Sequence, residues 1–333
     1  MAATTSTIGT DKDYTTIAGW EDAQDGNPDN QDTGLCEAEV FAAVVFDGGT
    51  YTATNYPHLT AKSGAEHDGR AHEVSGAGNA RIESAANAVV VHVLDNFPRV
   101  SWLEVKGPGN NAQNTVFVYN CDNAATPHVH HCIIHNNYAN TGAQSGFYSN
   151  AGSFVMSVYR NIIYGHGHYG LISYITGLAC HVFCNTVFYN GDSGNAGVRI
   201  GDANTVVQNN ASFANLVVDF NDTTGVMDYN ASSDTTGDDE GANSIANLTT
   251  ANQFIAPTTT WAETDLLHKA GADIIGEGLD MSADVATYPE INVSIRNGAT
   301  RATISGAWDI GADQYEAAAT GNRRRRLIIC GAA

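Results

Sequence analysis

Val158-Tyr-Arg-Asn161-Ile-Ile-Tyr, Val182-Phe-Cys-Asn185-Thr-Val-Phe, Val206-Val-Gln-Asn209-Asn-Ala-Ser and Met227-Asp-Tyr-Asn230-Ala-Ser are four versions of one segment. Their asparagines are 24, 24 and 21 residues apart, and each has an apolar residue three positions earlier. A repeat of this length is one supersecondary unit stacked on copies of itself. The repeat extends upstream. Leu103 lies 29 residues before Cys132 and Cys132 lies 29 before Asn161, so Val100, Val129 and Val158 fall in one column.

Each unit is too short for a strand plus a crossover helix. Val, Ile, Phe, Tyr and Thr are frequent, turn residues interrupt the apolar runs, and helical spacing is weak. Short parallel strands wound into a solenoid satisfy these constraints, because each strand then pairs with its counterpart one coil away. Further β-rich runs stand at 38–46, 88–94 and 100–107. The column Asn161, Asn185, Asn209 and Asn230 is expected to be a structural ladder. Asparagine tolerates the left-handed backbone of sharp turns, and its amide both donates and accepts along a stack.

At the start, residues 6–16 read as a short strand and a turn. Thr15 or Thr16 then caps a helix whose Ile17, Trp20 and Ala23 share a face. Such a helix covers the open apolar end of a stacked coil. Residues 25–34 are dense in turn formers and read as a loop. The expected organisation is a cap and loop at 1–36, coils at 37–235, a loop with last coils and closing cap at 236–316, and an arginine-rich tail at 317–333.

Composition narrows the function. Lys plus Arg number 15 against 36 acidic residues, a net charge of −21, which disfavours general nucleic-acid binding. No apolar run reaches the ~18 residues of a membrane span. The N-terminus carries no basic region followed by an apolar run, so no secretory signal is expected. The six cysteines show no paired spacing and read as buried thiols.

The asparagine column with its apolar flanks resembles the right-handed parallel β-helix proteins of the pectate-lyase-like superfamily. Ile8-Gly-Thr-Asp-Lys-Asp-Tyr-Thr-Thr-Ile17 and its helix resemble the N-terminal cap of such chains. Trp308-Asp-Ile-Gly-Ala-Asp-Gln-Tyr315 resembles the Asp-Ile-Gly-Ala ending of many bacterial and phage members. The resemblance spans roughly residues 6–316. It implies an all-β fold, a right-handed parallel β-helix with an N-terminal helical cap and a C-terminal closing segment. It leaves function open, since lyases, hydrolases and inert virion proteins share this fold.

Gly165-His166-Gly167 matches the Gly-His-Gly signature of polygalacturonases, but Asn-Thr-Asp is missing and Asp238-Asp239 follows the histidine. Val198-Arg199-Ile200 reproduces only part of that family's Arg-Ile-Lys. Inverting hydrolysis needs two carboxylates ~6.5–9.5 Å apart, and no such pair precedes His166. His166 is therefore expected to be an exposed histidine in a glycine turn. A lyase reading would take Ca²⁺ on Asp192, Asp202, Asp219 and Asp222, with Arg160 or Arg199 as base. His166, Asp192, Arg199 and Asp202 are the weak catalytic candidates, and no cofactor is otherwise expected.

No metal site is expected either. His128, His130, His131 and His135 crowd around Cys132, but 128 and 130 share a strand face while 131 points the opposite way. Convergence would need His166 or His168 from the next coil. Arg323, Arg324, Arg325 and Arg326 are the sharpest charge anomaly and read as an assembly tail that meets carboxylates. The leading expectation is a non-enzymatic phage virion protein, a capsid decoration or fibre-like β-helix. It would assemble with itself as a homo-oligomer or with other virion proteins. The alternative is a polysaccharide-binding or -degrading β-helix enzyme such as a tailspike depolymerase, pectin-type lyase or glycoside hydrolase.

Overall fold

The computed structural model describes residues 4–25, 31–71, 78–84, 88–108, 117–119, 126–137, 145–149, 155–173, 180–191, 195–221, 225–237, 241–260, 264–295 and 308–315. The chain is a right-handed parallel β-helix of about seven turns. Three parallel sheets run its length. Among the described residues sheet A has nine strands, from Thr4–Ile8 through His128–His130 and Ser157–Tyr159 to Val226–Asp228. Sheet B has eight, from Val40–Phe41 to Ala231–Ser232, and sheet C has seven, from Val44–Phe46 to Val218–Asn221. Each coil visits A, then B, then C.

The interior is built by alternation. Val100, Val129, Val158, Val182 and Val207 pair in register on sheet A and are fully buried. Ile82, Val105, Ile134, Ile163 and Val187 do the same on sheet B. Val91, Phe117, Phe147, Leu171 and Val198 form the sheet C column, with the two phenylalanine rings stacked at 5.6 Å. β-branched and aromatic side chains fit this half-pleated stacking.

The corner from A to B explains the repeat. Trp102, His131, Arg160, Cys184, Asn209 and Tyr229 all adopt φ of 54–59° there. The left-handed residue turns the chain sharply, and the next residue points its side chain inside. That next position is Leu103, Cys132, Asn161, Asn185, Asn210 and Asn230. Asn161 Oδ1 accepts the Cys132 N–H, Asn185 Oδ1 accepts both the N–H and the amide of Asn161, and Asn210 and Asn230 continue in the same way. Each amide also donates to a strand carbonyl, of Val129, Val158, Val182 or Val207.

Two expectations change here. The third rung is Asn210, so the spacings are 24, 25 and 20 residues, and Val207 replaces Val206 in the valine column. Asn209 is the left-handed residue beside the ladder. The ladder asparagines are also not the residues that take up the turn; their neighbours are. A second ladder stands at the B-to-C corner, where Gly165, Tyr189 and Ala214 have positive φ. There the His166 N–H meets Asn190 Oδ1, and the Asn190 N–H and amide meet Asn215 Oδ1.

The N-terminal cap is the helix Ile17–Asp25, with Thr16 Oγ1 accepting the Gly19 N–H. Its buried face is Ile17, Trp20, Glu21 and Gln24, while Ala23 is exposed. Trp20 lies over Gly34, where a Cβ would come within 2.7 Å of the indole, and its Nε1–H donates to Asp32. Part of the stretch that reads as a loop is thus the strand Asp32–Cys36.

The closing segment does more than end the stack. Ile245 adds one bridge to Ala231, and Ser244 Oγ accepts the Asn230 N–H at the foot of the ladder. The chain then folds back along the solenoid. Phe254, Leu266, Leu267, Ile274 and Ile310 cover Ile162, Tyr164, Phe188 and Phe213 on the outside of sheet B. Met281, Tyr288, Ile291 and Trp308 cover Tyr159, Phe183 and Cys184 at the edge of sheet A. In the Asp-Ile-Gly-Ala turn, the Gly311 N–H donates to the Asn209 carbonyl and the Ala312 N–H to Thr186 Oγ1. Gly311 has φ +110°, and a Cβ there would lie 2.9 Å from Thr186 Oγ1.

Candidate functional site

The sequence candidates are not brought together. His166 is fully buried, not exposed. Its Nε2 pairs with the Ile134 carbonyl at 3.1 Å, as the Asn190 amide pairs with Ile163 one coil later, and burial pushes its pKa down to about 3. His166 therefore fills a ladder position. Arg199 points outward from sheet C and donates to the Tyr169 hydroxyl at 2.9 Å. Asp202 is buried in the turn after that strand, where its carboxylate accepts the Asn204 N–H. Asp219 is likewise spent, accepting from Asn215 and Ser233, with burial raising its pKa to about 6. Asp192, Asp222, Asp238, Asp239 and Arg323–Arg326 lie outside the described residues.

Polar chemistry concentrates elsewhere, on the outer face of sheet A. His58, Arg99, His128, Ser157 and His181 form one outward row; Thr60, Ser101, His130, Tyr159 and Phe183 form the other. A strap at 278–293 buries much of this face, and the left-handed corner residues grip it. Asn209 exchanges two hydrogen bonds with the Leu279 backbone, Cys184 touches Met281, Arg160 Nε donates to the Ile291 carbonyl, and His131 pairs with the Val293 carbonyl. Arg160 also donates to the Ala312 carbonyl and lies over the Trp308 ring. The strap thus climbs from the coil of Asn209 to that of Trp102, whose Nε1–H donates to Glu290 at 2.9 Å.

Under the strap the imidazoles are held rigidly. His130 stacks on Tyr159 with ring centroids 4.8 Å apart, and His131 stacks on Trp102 at 4.4 Å. Their Nδ1 atoms are 3.0 Å apart, and Glu290 Oε2 is 3.8 Å from His130 Nδ1. Strand alternation places His131 opposite His130; its φ of 54° breaks that alternation and brings both rings to one side. Burial, reinforced by the neighbouring cationic and imidazole groups, holds His128 and His131 at about 3 and His130 well below its ordinary value. These rings are neutral at pH 7. Neither His166 nor His168 joins them. His135 instead pairs with Glu104 on sheet B at 2.9 Å. The contribution of Glu290 has no sequence signal, because it arrives from more than 150 residues away.

A second group of ligand-type atoms, Glu21, Asp22 and Asp25, lies on the cap helix. The Glu21 carboxylate accepts the Asp47 N–H, and the Tyr51 hydroxyl donates to Asp25. Burial and the nearby Asp25 raise Glu21 to about 8, and the same causes raise Asp95 to about 7.

Sheet C forms the third flank. Its outward row includes Val45, His92, Tyr148, Ile172, Arg199 and Asn221. The described thiols, Cys36, Cys132, Cys180 and Cys184, are buried and unbridged. Among the described residues no helix is long and apolar enough to cross a membrane. Comparison with protein-family models, with curated proteins and with solved structures finds no match to this chain.

Proposed function

We propose that the protein is a non-enzymatic structural component of a phage virion, a β-helix of the pectate-lyase-like kind that acts through protein–protein assembly. The observation that carries this reading is the commitment of the described catalytic candidates to architecture. His166 is a ladder rung, Asp202 stabilises a turn, and Arg199 is paired with Tyr169. Chemistry needs such groups converging on a substrate, whereas assembly needs a rigid body with a free flank. Two flanks are covered by the chain's own closing segment, and the third is the outward face of sheet C, where Val45 is 43% exposed. The strongly acidic composition and the four arginines at 323–326 add complementary charge for contacts between copies or with neighbouring virion proteins.

Electron microscopy of the source particle with a labelled copy of the protein is the deciding experiment. Regular density attributable to the β-helix on the particle is expected. A free protein that depolymerises a polysaccharide would overturn the reading. The glycan alternative draws on one feature, the half-buried Arg199 and Tyr148 on the outer face of sheet C, since guanidinium groups and aromatic faces suit sugar hydroxyls. Binding of an acidic polysaccharide that is lost in Arg199→Ala would favour it.

A further inference from the structure

We propose that His130 Nδ1, His131 Nδ1 and Glu290 Oε2 form a binding site for a borderline divalent metal of the zinc or cobalt class, which locks the strap to the solenoid. The three ligand atoms all lie within 4.8 Å of one another. Two nitrogens bound to zinc at about 2.0–2.1 Å in a tetrahedron are about 3.3 Å apart. The two Nδ1 atoms already stand at 3.0 Å, within a few tenths of an ångström of that separation, and a turn of the His130 ring aims both lone pairs at one ion. Two imidazoles and a carboxylate are the donor set that such metals prefer.

The surroundings prepare these atoms as ligands. A carbonyl can only accept, so the Val293 carbonyl 2.9 Å from His131 Nε2 fixes the proton on that nitrogen. The lone pair of His131 is thereby left on Nδ1, facing His130. This is the outer hydrogen bond that orients metal-binding histidines. His67 adds a second brace by donating from Nε2 to the His131 carbonyl at 2.6 Å. Stacking on Tyr159 and Trp102 locks both rings. The Trp102 indole N–H holds Glu290, whose own backbone is left-handed at φ 64°. A non-glycine residue in that region stores strain that the surrounding structure must hold in place.

Without metal, His130 donates its Nδ1 proton to the lone pair of His131. With metal, His130 carries its proton on Nε2 instead, and both Nδ1 atoms bind. The Glu290 side chain is 42% exposed, so the carboxylate side of the site faces solvent while both imidazoles are buried. The histidines belong to the coil and the carboxylate to the strap, so the ion joins the strap to the solenoid.

The test uses the untagged full chain, treated with EDTA and titrated with Zn²⁺ by calorimetry. One equivalent should bind, and Co²⁺ at the same site should give visible d–d absorption. Glu290→Gln keeps an acceptor for Trp102 and removes the charged ligand; it should weaken Zn²⁺ at least tenfold. His130→Ala should do the same, and His92→Ala, on the opposite flank, should not. If His130→Ala fails to fold by circular dichroism, Glu290→Gln decides alone. Absence of stoichiometric Zn²⁺ binding by the wild type, or less than tenfold weakening in Glu290→Gln, overturns the proposal.

Discussion

His166 shows how a residue's chemistry is set by its rung. The same motif that suggests a catalytic histidine places its ring where Asn190 and Asn215 stand in later coils. Replacing it by asparagine should keep the Ile134 carbonyl partnered and leave stability at pH 7 within about 1 kcal/mol of wild type, an ordinary net hydrogen-bond value. Urea unfolding of His166→Asn measures this, and a much larger loss would show that the imidazole has a role of its own. Asn185 is the opposite case. It accepts from Asn161 and donates to Val158 and Asn210. Asn185→Ala leaves buried donors and acceptors without partners and should cost roughly 2–3 kcal/mol in the same assay.

The Asn209–Asn210 pair marks the limit of legibility at this scale. Either asparagine fits a ladder on spacing alone, and a one-residue slip moves every side chain to the other face. The choice is made by backbone conformation: the coil needs a left-handed residue before each rung, and Asn209 takes it at φ 59°.

At the scale of elements, the strap depends on Arg160. Its guanidinium is fully buried and bonds carbonyls at Ile291, Ala312 and Asp313, so one side chain ties together two separate passes of the closing segment. Hydrogen bonds to a charged group contribute about 1.5–3 kcal/mol each in favourable settings. Arg160→Ala should therefore release the strap while the coils remain paired. Limited proteolysis should show faster cleavage within 278–293, with little change in far-UV circular dichroism. Equal protease resistance in mutant and wild type would show that the apolar contacts of Met281, Tyr288 and Ile291 suffice. The helix Ile17–Asp25 is readable from its cap and spacing, but its buried positions after Trp20 are not. Gln24 is buried where Ala23 was expected, because the helix meets the coil over Trp20 and Glu21.

For the whole molecule, buried titratable groups set opposite limits on stability. His58 is held at about 4 and His166 at about 3 by burial, against 6.5 when unfolded. Depressed histidines are neutral in the fold, so the unfolded chain binds more protons below pH 6.5. Their contribution is present above that pH and is lost as pH falls toward 3–4. Glu21 and Asp95 run the other way, raised by burial to about 8 and about 7. Their contribution is full below about pH 4 and is lost as pH rises through 7–8. Thermal melting against pH should give a dome with its maximum near pH 6. Glu21→Gln should flatten the alkaline limb and His166→Asn the acid limb. A melting temperature independent of pH between 4 and 9 would contradict this account.

The sequence by itself determined the solenoid: coil length, the valine column and the start of the asparagine ladder are local, periodic features that each strand repeats. Period and polarity suffice for these because every coil solves the same packing problem. Only the tertiary structure decided what happens on the outside. The residues 254–315 carry no repeat, and the path of the described ones, 254–260, 264–295 and 308–315, along sheets A and B is set by which apolar outer side chains, such as Tyr159, Tyr164, Phe188 and Phe213, need cover. The meeting of His130 and His131 with Glu290 follows from that path and from the left-handed backbones of His131 and Glu290. Neither can be read from spacing, because both depend on chain segments distant in sequence and on a backbone conformation that Trp, His, Arg, Cys, Asn and Tyr each take at the A-to-B corner.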